Sequence, residues 1–559
     1  MKKDILLKID KLGIGLINKE SDNTLLNSIS FDIPKNKIVG LVGESGSGKS
    51  LTALSILRLL NSKIYNTSGK IIFNNKNILE LNLNEVQRIR GKEIAMIFQE
   101  PMSALNPTMT IGNQLIEICK RHLNLSHSEI IKKINNLISK VSLDDINNLL
   151  KKFPHEISGG QKQRVMIIMA LLCNPSLLIA DEPTTALDVT VQKEILQLIK
   201  DLQKSENLSV LFISHDLSVV KEIADKIIIM KAGEIVEQGS KKTLFENPKN
   251  PYTKVLLSIK PSKNIRLKEL PTIEKILNKN FKNEIINTKT RSKKRNKIYS
   301  KPPLLKISNI NKTYISKLGL FSKQYSFKAL KKINLELYEG ETLGLVGESG
   351  CGKTTIAKTI LQIEKTDSGT IIYKGKEIAQ LSKREFKQFR KDIQLIFQDP
   401  YSSLNPKLNV CETIIEPIKY HRILTNRKEL VKRAIELLID VGLSEDFLYR
   451  YPHELSGGQR QRLGIARAIS VNPKIIICDE AVSALDVSVK AQVLNLLNKL
   501  KDDYNFTYIF ISHDLSIVKH MCDNIIIMNR GRIEESGDLD KIFVNPEKKY
   551  TKKLIDAIL

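Results

Sequence analysis

Five short motifs occur in one order along this chain, and the whole series then occurs again. The first half carries GESGSGKS at Gly43–Ser50, FQEPMSALNP at Phe98–Pro107, FPHEISGGQKQR at Phe153–Arg164, LLIADEPTTALD at Leu177–Asp188 and VLFISHDLS at Val210–Ser218. The second carries GESGCGKT at Gly347–Thr354, FQDPYSSLNP from Phe397, YPHELSGGQRQR from Tyr451, IIICDEAVSALD from Ile475 and YIFISHDLS from Tyr508. Ser158 and Ser456, Asp181 and Asp479, and His215 and His513 are each 298 residues apart, Gln99 and Gln398 are 299 apart, and Lys49 and Lys353 are 304 apart, so the spacing changes only in loops. A chain of 559 residues is too long for one core, and a repeat of this length divides it into two homologous domains, 1–259 and 304–559, joined by a basic stretch at 260–303.

Each GxxxxGK[ST] run follows a short apolar stretch (Ile38–Val42, Thr342–Val346) and opens a helix-like segment. That setting makes it a phosphate-binding loop. Gly43, Gly46 and Gly48, with Gly347, Gly350 and Gly352, let the backbone fold tightly around Ser45 and Ser349 and turn its N–H groups inward. Lys49 and Lys353 then reach terminal phosphates, and the hydroxyls of Ser50 and Thr354 can ligate Mg²⁺. A glycine-rich turn with a stray lysine does not account for two such loops in the same context.

Leu177–Ala180, Val210–Ile213, Ile475–Cys478 and Tyr508–Ile511 read as buried parallel strands whose carboxyl ends carry chemistry. Asp181 and Asp479 close two of them and are placed to hold Mg²⁺ through Ser50 and Thr354 or a coordinated water. Glu182 and Glu480 follow, where a carboxylate can polarise an attacking water. His215 and His513 close another strand in each half and can contact the γ-phosphate, while the amide oxygens of Gln99 and Gln398 can ligate Mg²⁺ and the water. Ser158, Gly159, Gly160 and Gln161, like Ser456, Gly457, Gly458 and Gln459, head a helical run (Gln161–Leu172 in the first half). They read either as an anion site or as a plain N-cap. Helical insertions are expected near 108–153 and 407–450, and a β-rich opening over Ile5–Ile33.

Phosphate loop, Gln, SGGQ, DE, ALD and SHD in this order resemble the nucleotide-binding domains of ABC ATPases, over nearly the whole chain. The resemblance implies an α/β fold of two tandem P-loop NTPase domains, each with a RecA-like parallel-sheet core, a β-rich subdomain and an inserted helical subdomain, hydrolysing ATP with Mg²⁺. In that family the SGGQ of one domain covers the γ-phosphate held by the other, which implies two composite sites. One would combine Lys49, Ser50, Gln99, Asp181, Glu182 and His215 with Ser456–Gln459. The other would combine Lys353, Thr354, Gln398, Asp479, Glu480 and His513 with Ser158–Gln161. QEPMSALNP and QDPYSSLNP, with ADEPTTALD and CDEAVSALD, resemble dipeptide and oligopeptide importer ATPases fused into one chain, as in those of microcin and glutathione uptake systems. The resemblance implies two integral-membrane permease subunits as partners, an extracellular or periplasmic solute-binding protein acting indirectly, no nucleic acid, and a peripheral place at the cytoplasmic face of the cell membrane. Tyr314 matches the family's adenine-stacking aromatic, whereas the first half has Leu16 or Ile17 there. The cysteine cluster carried by many relatives is missing, and Ala481 stands where the first half has Pro183.

The net charge of +27 admits nucleic acid, an anionic membrane surface or a merely lysine-rich composition, and the spread of the lysines favours the last. The alternative to transport is a soluble tandem ATPase acting on the ribosome or nucleic acid, but SHDLSVVKEIADK and SHDLSIVKHMCDN look like transporter sequences. Six cysteines without CxxC spacing fit a reduced compartment, and no uninterrupted apolar run reaches the length of a membrane span. The run RSKKRNK at Arg291–Lys297 reads as a solvated tether.

Overall fold

A computed structural model describes residues 4–17, 24–99, 104–143, 146–185, 187–258, 266–278, 281, 284–317, 324–483 and 485–557. The chain divides into two compact units, the first ending at Ser258 and the second beginning at Ile259.

In the first unit a six-stranded sheet runs in the order Glu234–Ser240, Lys226–Lys231, Ile38–Gly43, Ser209–Ser214, Leu177–Asp181 and Ile94–Ile97. Only the Glu234–Ser240 edge is antiparallel; the rest pair in parallel. Ile38–Gly43, Leu177–Asp181 and Ser209–Ser214 are buried along their whole length, as strands covered on both faces must be, which is why they read as unbroken apolar runs. The register sets Val42 opposite Ser214, Asp181 opposite Ile213 and Ile97 opposite Ala180. The residues that follow these strands, the glycine loop, His215, Glu182 and Gln99, therefore leave the sheet at one edge.

An antiparallel sheet (Thr24–Pro34, Ile5–Leu16, Tyr65–Phe73, Lys76–Asn77) lies against the core, with Leu7, Ile9, Phe31 and Ile33 packed with Leu41, Ile179 and Leu211 and with Ala53 and Ile56 of the helix Lys49–Ile56. Helices Ile111–His122 and His127–Lys140 form the insertion, each N-capped by a hydroxyl (Thr110, Ser126) and buried along one stripe. The second unit repeats the plan. Its large sheet runs Ile393–Ile396, Ile475–Asp479, Thr507–Ser512, Thr342–Val346, Asn524–Asn529 and Arg532–Asp538, and its insertion holds helices Val410–Tyr420 and Arg427–Asp440.

The stretch between the halves is not the expected solvated tether. Its described part, from Arg266 on, belongs to the second unit and contains helices Ile273–Leu277 and Thr288–Tyr299. Arg266 Nη1 donates to the Cys522 carbonyl at 2.8 Å, Leu270 and Asn495 exchange two 2.8 Å hydrogen bonds, Arg291 pairs with Asp540, Arg295 with Asp538, and Tyr299 donates to Glu341 at 2.6 Å. The basic run misleads because its acidic partners lie some 240 residues further along the chain. Of the run's described side chains, Ser292, Lys293, Asn296 and Lys297 are exposed.

Glu341, fully buried beneath Tyr299, has its pKa pushed up to about 7, chiefly by burial, against the hydrogen bonds from Tyr299 and the Tyr338 N–H. A carboxyl whose folded value lies above its unfolded value of 4.5 stabilises fully below that unfolded value, and the contribution disappears as pH rises through about 7. Glu341→Gln stays neutral, so in denaturant titrations it should flatten that slope. It should match the parent near pH 4.5 and exceed it at pH 8 by on the order of 2 kcal/mol; an unchanged slope would contradict this.

Candidate nucleotide site

Each glycine loop ends in a left-handed residue at the helix N-cap, Gly48 (φ 98°) and Gly352 (φ 112°), and no side chain caps either helix. The first-turn N–H groups are thus left for an anion. A Cβ on Gly48 would lie 2.2 Å from Leu26 Cδ2, whereas one on Gly46 would meet open space. Gly48→Ala should therefore cost about 1 to 3 kcal/mol of stability through strain and clash, and Gly46→Ala only its strain. Equal melting temperatures for the two variants would count against this loop geometry.

Lys49 is buried and donates to the carbonyls of Gly43 (2.8 Å) and Glu44 (2.7 Å); Lys353 does the same to Gly347 (2.7 Å) and Glu348 (3.0 Å). Both ammonium groups are held at their loops, whose tips, Ser45–Gly46 and Ser349–Gly350, are exposed.

Glu182 and Glu480 both adopt φ 47°, a backbone region costly for a glutamate, at the turn leaving an acid-bearing strand. Glu182 Oε2 accepts from Gln99 Nε2 (3.2 Å) and Thr185 Oγ1 (2.9 Å) and lies 3.0 Å from His215 Nδ1. Glu480 Oε2 accepts from Gln398 Nε2 (3.0 Å) and lies 3.3 Å from His513 Nδ1. Burial pushes both carboxyls up, but the hydrogen bond and charge of the facing histidine, with the loop lysine, outweigh it and leave them below the ordinary value. Burial in turn lowers His513, and the bond and charge of Glu480 raise it further than that. Each glutamate is thus a carboxylate gripped by an amide and an imidazole. The halves differ in one donor: Ser483, standing in place of Thr185, donates to the Glu480 carbonyl at 2.9 Å instead of to the carboxylate.

The Asp181 carboxyl is pushed up to about 6, chiefly by burial and also by Glu182, against the Ser50 hydroxyl and Lys49. Its Oδ1 is buried without a hydrogen-bond partner. Asp479 is raised by burial and by Glu480 and accepts from Thr354 Oγ1 at 3.3 Å. A buried carboxylate beside a hydroxyl, with a spare oxygen, fits a divalent cation. Among the described residues no group of three or more His, Cys, Asp and Glu side chains could hold a metal ion, so further ligands would have to come from phosphate and water.

The helices headed by the two SGGQ runs begin at Gly159 and Gly457, two residues before Gln161 in the first half. Ser158 and Gln161 form a capping box (Ser158 N–H to Gln161 Oε1 3.0 Å, Gln161 N–H to Ser158 Oγ 3.3 Å), as do Ser456 and Gln459 (2.9 and 3.4 Å). The N-cap reading thus holds within each unit. Gly159 and Gly457 remain exposed at the two helix starts.

Tyr314, with Lys312 5.2 Å over its ring, pairs across its hairpin with Phe327, which is 61% exposed. Sequence reasoning missed Thr185 and Tyr550, whose Oη accepts the Glu348 N–H at 3.3 Å. Glu100–Ser103, Ala186 and Ala484 lie outside the described residues.

A glycine loop on a parallel strand, a buried Asp at the end of the next strand but one and an ionised Glu beside it define a P-loop nucleoside triphosphatase, present twice. The model for the ABC transporter family matches residues 26–185 and 330–483, and that for the oligopeptide/dipeptide transporter C-terminal region matches 236–284. The chain is 40% identical to the glutathione import ATP-binding protein GsiA of Escherichia coli K12 over 99% of its own length and 89% of that protein's, and equally to that of Shigella dysenteriae. Among solved structures, an ATP-binding cassette dimer bound to ADP and Pi (33% identity, TM-score 0.38) covers 42% of this chain and 98% of its own. The cbiO1 subunit of Clostridium perfringens (29%, TM-score 0.38) covers 44% of this chain and 93% of its own. The chain belongs to the ATP-hydrolysing subunits of ABC transporters, in the oligopeptide/dipeptide branch. Among the described residues no helix is long and apolar enough to cross a membrane.

Proposed function

We propose that this chain powers uptake of short peptides or glutathione-like solutes, working at the cytoplasmic face of the cell membrane beneath two permease subunits fed by a solute-binding protein. The observation that carries this is the repeated Glu–His–Gln constellation in a chain 40% identical, over 99% of its length, to a glutathione import ATPase. The matches favour transport over a ribosomal role.

In each half Lys49 or Lys353 neutralises the β- and γ-phosphates while the N–H groups of the glycine loop orient them. Glu182 or Glu480 takes a proton from the attacking water; Gln99 or Gln398 and His215 or His513 hold that carboxylate in line. Tyr314 stacks on adenine in the second half, and apolar packing at Leu16 or Ile17 replaces part of that contact in the first. Mg²⁺, held through Ser50 and Asp181 or Thr354 and Asp479, with Gln99 and Gln398 nearby, would supply charge neutralisation. Ser158–Gln161 and Ser456–Gln459 each serve the γ-phosphate bound by the other half, so that ATP binding joins the halves and hydrolysis parts them.

The test is uptake of labelled glutathione and of a dipeptide by cells with and without the gene. Loss of either uptake, restored by the wild-type gene but not by one carrying Lys49→Ala and Lys353→Ala, supports the reading; unchanged uptake of both solutes contradicts it.

A further inference from the structure

The seven-residue helix Leu515–Met521 starts immediately after His513 and Asp514. Asp514 caps its beginning, accepting from Ser516 N–H (2.9 Å) and Ile517 N–H (3.4 Å). Its far end is closed by Cys522, whose N–H returns to Val518 at 2.9 Å. The Cys522 carbonyl receives Arg266 Nη1 at 2.8 Å and Arg291 Nη2 at 3.5 Å, both from the segment that joins the halves. Two guanidinium charges at a helix carboxyl end satisfy an orphan carbonyl and complement the helix dipole.

The next residue, Asp523, exchanges two hydrogen bonds with Thr342, the first residue of the strand that leads into the second glycine loop: Asp523 N–H to Thr342 O at 2.8 Å and Thr342 N–H to Asp523 Oδ2 at 2.9 Å. Lys501 adds a third contact to that carboxylate at 3.3 Å. Cys522–Asp523 is therefore a joint where the histidine helix, the loop strand and the joining segment meet. In the first unit Asp225 exchanges the same two bonds with Ile38, but the cation beside it is the exposed Lys37, at 3.4 Å, the residue just before Ile38. The arginine grip belongs to the second half.

We propose that Arg266 is a positioning residue for ATP hydrolysis in the second half: by holding the carboxyl end of the helix that begins beside His513, it fixes where that histidine meets Glu480. This rests on the hydrolytic role given to His513. The joining segment thus sets the geometry of one of the two sites as well as linking them.

The test uses the full chain with Mg-ATP and four variants: Arg266→Ala, Arg266→Lys, Asn495→Ala and His513→Ala. Asn495→Ala breaks another anchor of the segment, at Leu270, and reports loosened packing alone. Arg266→Ala should lower kcat about two- to fivefold with KM unchanged, Arg266→Lys should recover most of that, and Asn495→Ala should lower Tm while keeping kcat. Wild-type kcat in Arg266→Ala, or a loss equal to that of Asn495→Ala and not recovered by lysine, overturns the proposal. Wild-type kcat in His513→Ala overturns instead the reading on which it rests.

Discussion

Replacing both strand-end glutamates, Glu182→Gln with Glu480→Gln, is expected to reduce ATP turnover about 100-fold or more while leaving nucleotide binding intact, because the amide keeps the shape of the group and cannot take the proton. Each single exchange should remove about half of the turnover if the halves fire independently, and nearly all of it if they alternate. The two carboxylates justify equal treatment: both are held in the same strained backbone conformation, both accept from a glutamine amide, and both lie against a histidine Nδ1. Phosphate release at saturating ATP checks this, and a single variant at wild-type rate would show that its half does not hydrolyse.

Lys49→Ala and Lys353→Ala should be next in size and should act on binding. Each ammonium is buried and bridges two loop carbonyls, so its loss takes a cation from the phosphates and leaves the Gly43 or Gly347 carbonyl without that donor. Charged hydrogen bonds contribute about 1.5 to 3 kcal/mol each, which converts to an affinity loss of about 10- to 100-fold in the altered half. Titration calorimetry should then show one of two binding events weakened and the other retained. Two unchanged events would contradict the assignment.

The repeat, the strands and the strand-end acids were legible because parallel strands buried on both faces must be apolar throughout, and polar residues following them stand out. Glu182, His215 and Gln99, spread over more than a hundred residues, meet within 3.2 Å because the sheet register brings their strand ends together. The joining segment was not legible. Its arginines look like solvated charge until Asp538, Asp540 and the Cys522 carbonyl are placed against them, and no local pattern marks such distant partners. Thr185 and Tyr550 were missed for a similar reason, since their contacts follow from turn geometry and packing near the chain end.

The central claim is that one chain carries two complete hydrolytic sites. Its most direct test is to incubate the Glu182→Gln, Glu480→Gln double variant with Mg-ATP, separate it from free nucleotide by gel filtration, and count the nucleotide that stays bound. Two ATP per chain are predicted; one or none would contradict the account.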